Sequence, residues 1–119
     1  MDKHTVEFWN MLDRLFEKYQ IIVDRPKGTP HPRYKNYIYP LDYGYLKGTV
    51  SADGGGIDVW LGSDNNRKVS AIISSIDFLK GDSEIKILYA CTPDEVQLVY
   101  NEHNRSDGMK GLLSVREIL

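Results

Sequence analysis

The chain has 119 residues, 41% of them hydrophobic and 27% charged, which fits one domain with one core over residues 1–119. A formal net charge of −2 argues against a general nucleic-acid coat, and the single cysteine, Cys91, excludes an internal disulfide and suits a reducing compartment. No apolar run approaches the ~20 residues of a membrane span, and the opening MDKHTVEFWNML has no signal-peptide pattern, so a cytoplasmic protein with no membrane contact is expected.

The first predicted element is a helix from Asp2 to Tyr19. Phe8, Leu12, Leu15 and Tyr19 recur at helical spacing, Trp9 and Phe16 widen the stripe, and Glu7, Asp13, Arg14, Glu17 and Lys18 fall on the other side. Ile21–Val23 is a short β-branched strand. Residues 24–35, DRPKGTPHPRYK, hold three prolines and cannot be a helix interior. Arg25, Lys27, Arg33 and Lys35 gather there in an otherwise acidic chain, and such cations suit phosphate oxygens. A solvated basic loop is the plain alternative. His31, between prolines, reads as exposed.

Asn36–Tyr39 and Tyr43–Val50 read as strand pieces joined at Pro40–Asp42. Next come Asp53 and Asp58 around three consecutive glycines. Glycine carries the largest backbone entropy loss on folding, so three together suit a backbone that passes close to something bound. Asp58 opens the apolar run Ile57–Leu61, a buried strand. A carboxylate at its mouth is a candidate ligand for a hard cation, and a hairpin with a polar, glycine-rich tip is the alternative. Val69–Phe78 alternates as a strand, Lys80–Glu84 reads as a charged turn, and Ile85–Ala90 as a strand interrupted by Lys86. A lysine there marks an edge or an inward-facing site residue. Cys91 reads as packing rather than a nucleophile. Thr92-Pro93-Asp94-Glu95 is a capping box with proline at the first helical position, and the helix should run to about Asn104. Gly111–Arg116 closes the chain as a strand. The sum is mainly β with two helices (α+β), a small closed or partly closed barrel.

The run YPLDYGY followed by GTVSADGGGIDVW resembles the tyrosine-rich segment and aspartate signature of the soluble family I inorganic pyrophosphatases. Weaker matches flank it in order: Asp24–Gly28 with Arg33-Tyr34, then Glu84-Ile85-Lys86, then Glu102–Arg105. The resemblance covers residues 21–116 and implies an OB-like five-stranded β-barrel with two helices. It further implies Mg²⁺-dependent hydrolysis of inorganic pyrophosphate or a related diphosphate, with Mn²⁺ as a substitute ion. Carried over, Asp53, Asp58 and Glu84 would hold the metal. Asp53, Asp58, Tyr43 and Lys86 would be catalytic. Arg33, Tyr39, Tyr43, Lys86, Arg105 and Asp24 would bind substrate. Many bacterial members are hexamers, which leaves a homo-oligomer open. The departures are equally specific. Gly55 replaces the aspartate expected to activate water, Lys35 replaces an acid, Asn104 replaces a tyrosine, and the hairpin between Tyr34 and Tyr39 is cut short. An aspartate before the Glu84–Lys86 motif has no clear match beyond Asp77 or Asp82. A non-catalytic phosphate- or nucleotide-binding module on the same barrel is therefore the second reading. A nucleic-acid binder would need a basic face with stacking aromatics, which the carboxylates oppose.

Overall fold

The computed structural model describes residues 2–117. Its elements are α1 (Lys3–Lys18), β1 (Ile21–Arg25), β2 (Asp42–Leu46), β3 (Ile57–Leu61), β4 (Val69–Asp77), β5 (Asp82–Tyr89), α2 (Pro93–Glu102) and β6 (Met109–Val115). All six strands form one mixed sheet in the order β1-β2-β3-β5-β4-β6. The β3–β5 pairing is parallel and the others are antiparallel. The α+β, mainly-β reading holds with both helices. The sheet, however, has six strands rather than five, and β1 and β6 remain its edges, so it does not close.

Both helices start on side-chain caps, which satisfy backbone N–H groups that the helix itself leaves free. Asp2 Oδ1 accepts from the Thr5 N–H at 2.9 Å. At α2 the box is complete: Thr92 Oγ1 accepts from the Glu95 N–H while Glu95 Oε1 accepts from the Thr92 N–H. The helices then cover opposite faces of the sheet. Trp9 and Leu12 of α1 pack on Val69, Ile72 and Ile87. Val96 and Val99 of α2 pack with Trp60, Ala71, Ile73 and Leu88, and Tyr39, Leu41 and Cys91 complete that core. The period-2 alternation of the strands feeds both layers. Arg116 ties the chain end back to α1 with paired 2.8 Å bonds to Asp13.

Three expected elements change. The strand expected at Tyr43–Val50 ends at Leu46, where Lys47 and Gly48 turn the chain. Asn36–Tyr39 is no strand: Tyr37 N–H bonds the Tyr34 carbonyl, and only an isolated bridge joins Ile38 to Pro30. The turn expected at Lys80–Glu84 is shorter, because Asp82–Glu84 pair with Ser75–Asp77 and Gly81 at φ 67° makes the reversal. The three glycines have different surroundings. Gly54 supplies a positive φ of 86° for the turn, Gly55 is open except toward Asp53, and a side chain at Gly56 would strike the Tyr45 ring at 2.7 Å.

Candidate functional site

The site grows from the α2 face of the sheet. β5 has β3 on one side and β4 on the other, so Lys86 is an inward residue and not an edge residue. Its Nζ donates to Asp58 Oδ2 at 2.5 Å, to Glu84 Oε2 at 2.5 Å and to the Tyr43 hydroxyl at 3.1 Å. These three acceptors use all three ammonium donors. Glu84 and Lys86 share one face of β5 by their two-residue spacing. Cross-strand register brings the others alongside: Tyr43 lies opposite Trp60, and Tyr45 opposite Asp58. Burial alone would lower the Lys86 pKa. The neighbouring Tyr43, Asp58 and Glu84 outweigh it and push it above the ordinary lysine value. Burial pushes the Tyr43 phenol up as well.

Asp53 lies at the exposed end of the cluster. The Ser51 hydroxyl donates to its Oδ1 at 2.6 Å and the Gly55 N–H at 2.9 Å, which lowers its pKa to about 2. Its other neighbour is the Glu84 carboxyl. Burial raises the Glu84 pKa, Lys86 opposes that shift, and the neighbouring Asp53 adds to it. The result is a row: Asp53 beside Glu84, Glu84 on Lys86, Lys86 on Asp58 and Tyr43. Two carboxylates and a phenol surround one ammonium, and the third carboxylate, Asp53, lies beyond Glu84.

Among the described residues, no three His, Cys, Asp or Glu side chains gather around one point fit for a metal ion. Asp58 and Glu84, two of the three carboxylates that the resemblance implies for the metal, both accept from Lys86 instead. Asp53 and Glu84 remain side by side. Mg²⁺ is commonly held through one or two carboxylates, with water and substrate phosphate completing the shell, so Asp53 and the Glu84 oxygen not engaged by Lys86 are the groups that could hold one.

On the other side of Lys86 opens a cavity of about 670 Å³. Tyr34, Tyr37, Tyr39, Tyr43 and Trp60 supply aromatic walls, and Glu102, His103 and Arg105 come from the end of α2. Tyr39 stacks on Tyr43 with centroids 5.7 Å apart, and Tyr43 meets Trp60 at 4.6 Å. The Trp60 indole N–H donates to His103 Nε2 at 3.0 Å, which puts the imidazole proton on Nδ1. Burial, with the Lys86 charge adding, lowers the His103 pKa to about 4, so it is neutral near pH 7. Glu102 Oε1 lies 3.5 Å from Arg105. Its Oε2 is buried with no hydrogen-bond partner among the described residues.

The remaining sequence-predicted residues spread out. Arg105 lines the cavity with its guanidinium 5.3 Å from the Tyr37 ring. Arg33 is exposed over the Tyr34 ring at 5.7 Å and does not line the cavity. Asp24 is exposed on β1 where the register with β2 slips. Asn104 pins α2 to β6 through the Tyr100 and Gly111 carbonyls. Lys35 is exposed. His31, expected at the surface, is half-buried in the cavity wall. Its Nδ1 accepts the Arg33 and Tyr34 N–H groups while its ring stacks on Tyr39. Sequence reasoning missed Trp60, Glu102 and His103 as site residues. Their signal was a polar pair at the end of a helix, which acquires meaning only when α2 is laid across β3.

The fold is that of known enzymes. The chain is similar to the inorganic pyrophosphatase of Neisseria gonorrhoeae, with TM-score 0.54 and 15% identity over 76% of this chain and 77% of that one. The inorganic pyrophosphatase of Helicobacter pylori gives 0.54 and 9% identity over 80% and 81%. An inorganic phosphatase of Anaplasma phagocytophilum gives 0.53 and 9% over the same shares. No protein-family profile and no curated protein sequence matches the chain. At these identities the likeness shows a pyrophosphatase-like fold. No helix among the described residues is long and apolar enough to cross a membrane.

Proposed function

We propose that the chain is a slow, Mg²⁺-dependent phosphohydrolase acting on inorganic pyrophosphate or a related diphosphate. The observation that carries this reading is the row Asp53, Glu84, Lys86, Asp58 and Tyr43. A scaffold gains little from a buried lysine that engages two carboxylates with a third beside them, because buried charge is costly unless it is paired. Asp53 and Glu84 would hold Mg²⁺, with Mn²⁺ as a substitute, and the ion would offset phosphoryl charge.

The chain's own groups do the rest. Arg105, at the cavity mouth, offers a guanidinium that suits phosphate oxygens in a bidentate way. Lys86 fixes Asp58, Glu84 and the Tyr43 hydroxyl in one geometry. In hydrolysis, water oxygen bonds one phosphorus, the bond from that phosphorus to the bridging oxygen breaks, and the water hydrogens end on the two phosphate products. Gly55 puts no proton acceptor beside the attacking water. The absence of a general base slows such a step by about 10²–10⁴. The test is phosphate release from pyrophosphate with Mg²⁺ or Mn²⁺, with and without EDTA. Slow, EDTA-sensitive release is expected, and no release with either ion overturns the hydrolase reading.

A second reading, a module that binds a diphosphate without turnover, is favoured by one observation. All three Lys86 donors already have partners within the protein, so that lysine has no hydrogen left for a phosphate. Tight pyrophosphate binding with no phosphate release would select it.

A further inference from the structure

α1 covers only one end of its face of the sheet. The rung on which it packs joins Ile72 to Ile87. On the same face, the next rung joins Ile85 and Leu112 through Ser74, and the one beyond joins Ser83 and Lys110 through Ile76. The four residues from Ile72 to Ile76 run roughly 13 Å along the strand. Phe8, Ile76, Ile85 and Leu112 line one groove of about 850 Å³ over this bare floor, and Phe78 follows at the hairpin tip.

The apolar surface there is large. Leu112 is 76% exposed, Ile76 59% and Ile85 48%, with Phe78 at 82% on the tip and Met11 and Phe8 at 61% and 40% on the flank of α1. At roughly 200 Å² for a whole large apolar side chain, these fractions amount to about 700 Å². The largest apolar patch on a typical monomer is about 300–600 Å², and one side of a standard stable interface is about 800 Å². The floor is also free of carboxylates, in a chain with 17 of them. Its polar members are Ser74, Ser83 and Lys110, and the Lys110 ammonium reaches back to the Asn104 carbonyl at 3.1 Å. Two such floors meet without burying an acid, which is the costly step.

The occupant that fits is a second copy. A helix layer is roughly 10–12 Å thick, and two stacked sheets lie roughly 10 Å apart. An inverted copy can thus lay its own bare floor on this one while its α1 stands level with the end of this sheet. The Phe78 tip of each chain then meets the Phe8–Met11 flank of the other's α1, so the patch is complementary to itself around a two-fold axis. We propose that the bare end of this sheet face is a homodimer interface, with Ile85 and Leu112 stacked around the axis and each hairpin tip seated against the other protomer's α1. Glu84 and Lys86 alternate with Ile85 along β5 and lie on the opposite face, so this contact does not rest on the diphosphate reading.

The experiment is sedimentation velocity of the full chain from low to high micromolar concentration, where a species of twice the 13.7 kDa chain mass is expected. Leu112→Lys, at a position the fold leaves exposed, puts two charges at the axis and should raise the dimer dissociation constant about tenfold or more, as loss of a central contact does. Phe78→Ser, at the hairpin tip, should weaken the dimer as well and carries the test if Leu112→Lys does not fold. Leu98→Lys, exposed on α2, should leave the dimer intact. Mixing Met11→Cys with Phe78→Cys under mild oxidation should crosslink the two variants faster than either crosslinks to itself, since Cys91 is buried and does not compete. A chain that stays monomeric at high concentration overturns the proposal and leaves the face to a different protein. A dimer insensitive to both Leu112→Lys and Phe78→Ser places the contact elsewhere and also overturns it. Polymers that keep growing with concentration overturn the two-fold and mean a head-to-tail contact.

Discussion

Replacing Lys86 with methionine removes the one cation in the row and keeps the chain length of the side chain. Asp58 and Glu84 then face each other at a site where the lysine is 11% exposed and the two carboxylates 22% and 13%. Removing one partner of a buried ion pair costs about 3–5 kcal/mol. The residual exposure of Asp58 places this case near the lower end, ~3 kcal/mol. A domain of this size loses about 4 °C of Tm per kcal/mol, so Lys86→Met should melt ~12 °C lower near pH 7. The pH dependence has a definite sign. In wild type the Lys86 pKa is raised above its unfolded value, so its contribution is fully present at and below neutral pH and fades only in strong base. In the variant the facing carboxylates gain raised pKa values. The folded state then binds more protons than the unfolded one, and the deficit shrinks as pH falls toward about 4. Millimolar Mg²⁺ should raise the variant's Tm more than the wild type's, because only the variant lacks an internal cation. Urea and thermal denaturation at both pH values, with and without Mg²⁺, measure all of this. A deficit below ~1 kcal/mol, the scale of an exposed ion pair, would refute the picture of Lys86 as the cation that holds the cluster together.

The remaining predictions concern single groups. Asp53→Asn should weaken Mg²⁺ binding, read by calorimetry, more than Asp58→Asn does, because Asp58 serves Lys86 while Asp53 stands beside Glu84. Gly55→Asp should fold once the exposed Asp53 carboxylate shifts by a few tenths of an ångström, since Gly55 is free of positive φ and its Cβ would meet only Asp53 Oδ1, at 3.3 Å. It should raise phosphate release from pyrophosphate at matched Mg²⁺, and an unchanged rate would mean that a missing proton acceptor is not what limits the step. His103, with a pKa lowered from 6.5 to about 4, makes the unfolded state bind more protons between those values. Stability should therefore rise with pH across that window, and be lost as pH falls through it, by about 3 kcal/mol. The glutamine variant, which can still accept from Trp60, should lack that component in urea titrations at successive pH.

The helices were legible because their signals are local. Thr92-Pro93-Asp94-Glu95 carries its cap within four residues, and the Phe8 to Tyr19 stripe shows its period directly. Strand ends were less legible where charge masked pairing. Asp82, Ser83 and Glu84 read as a turn, yet cross-strand partners on β4 extend β5 through them. Asn36–Tyr39 had the composition of a strand, but local turns at Tyr34 and Tyr37 take its hydrogen bonds. Closure was an expectation about β1 and β6, elements at opposite ends of the strand order, which no short-range pattern fixes. In the site, Asp58 and Lys86 stood out as charges placed against apolar runs and Asp53 by the glycine trio beside it, while Glu84 entered only through the resemblance. The cavity did not, because Trp60, Glu102, His103 and His31 come from β3, the end of α2 and a proline-rich loop. His31 read as exposed since its flanking prolines mark a loop. Its ring is instead held by two backbone N–H groups and by Tyr39.

On the proposed function, the charge balance of the row would set how a diphosphate enters. Asp53, Asp58 and Glu84 present three carboxylates, and Lys86 offsets one of them with no donor to spare. A bare polyphosphate approaching the Asp53 end meets net negative charge, so its own charge opposes binding. A divalent ion approaching alone meets Asp53, whose pKa of about 2 keeps it ionised at neutral pH, and Glu84, which Lys86 already engages. Each ligand thus improves the site for the other, and linkage requires the two effects to be equal: the factor by which Mg²⁺ tightens diphosphate binding is the factor by which diphosphate tightens Mg²⁺.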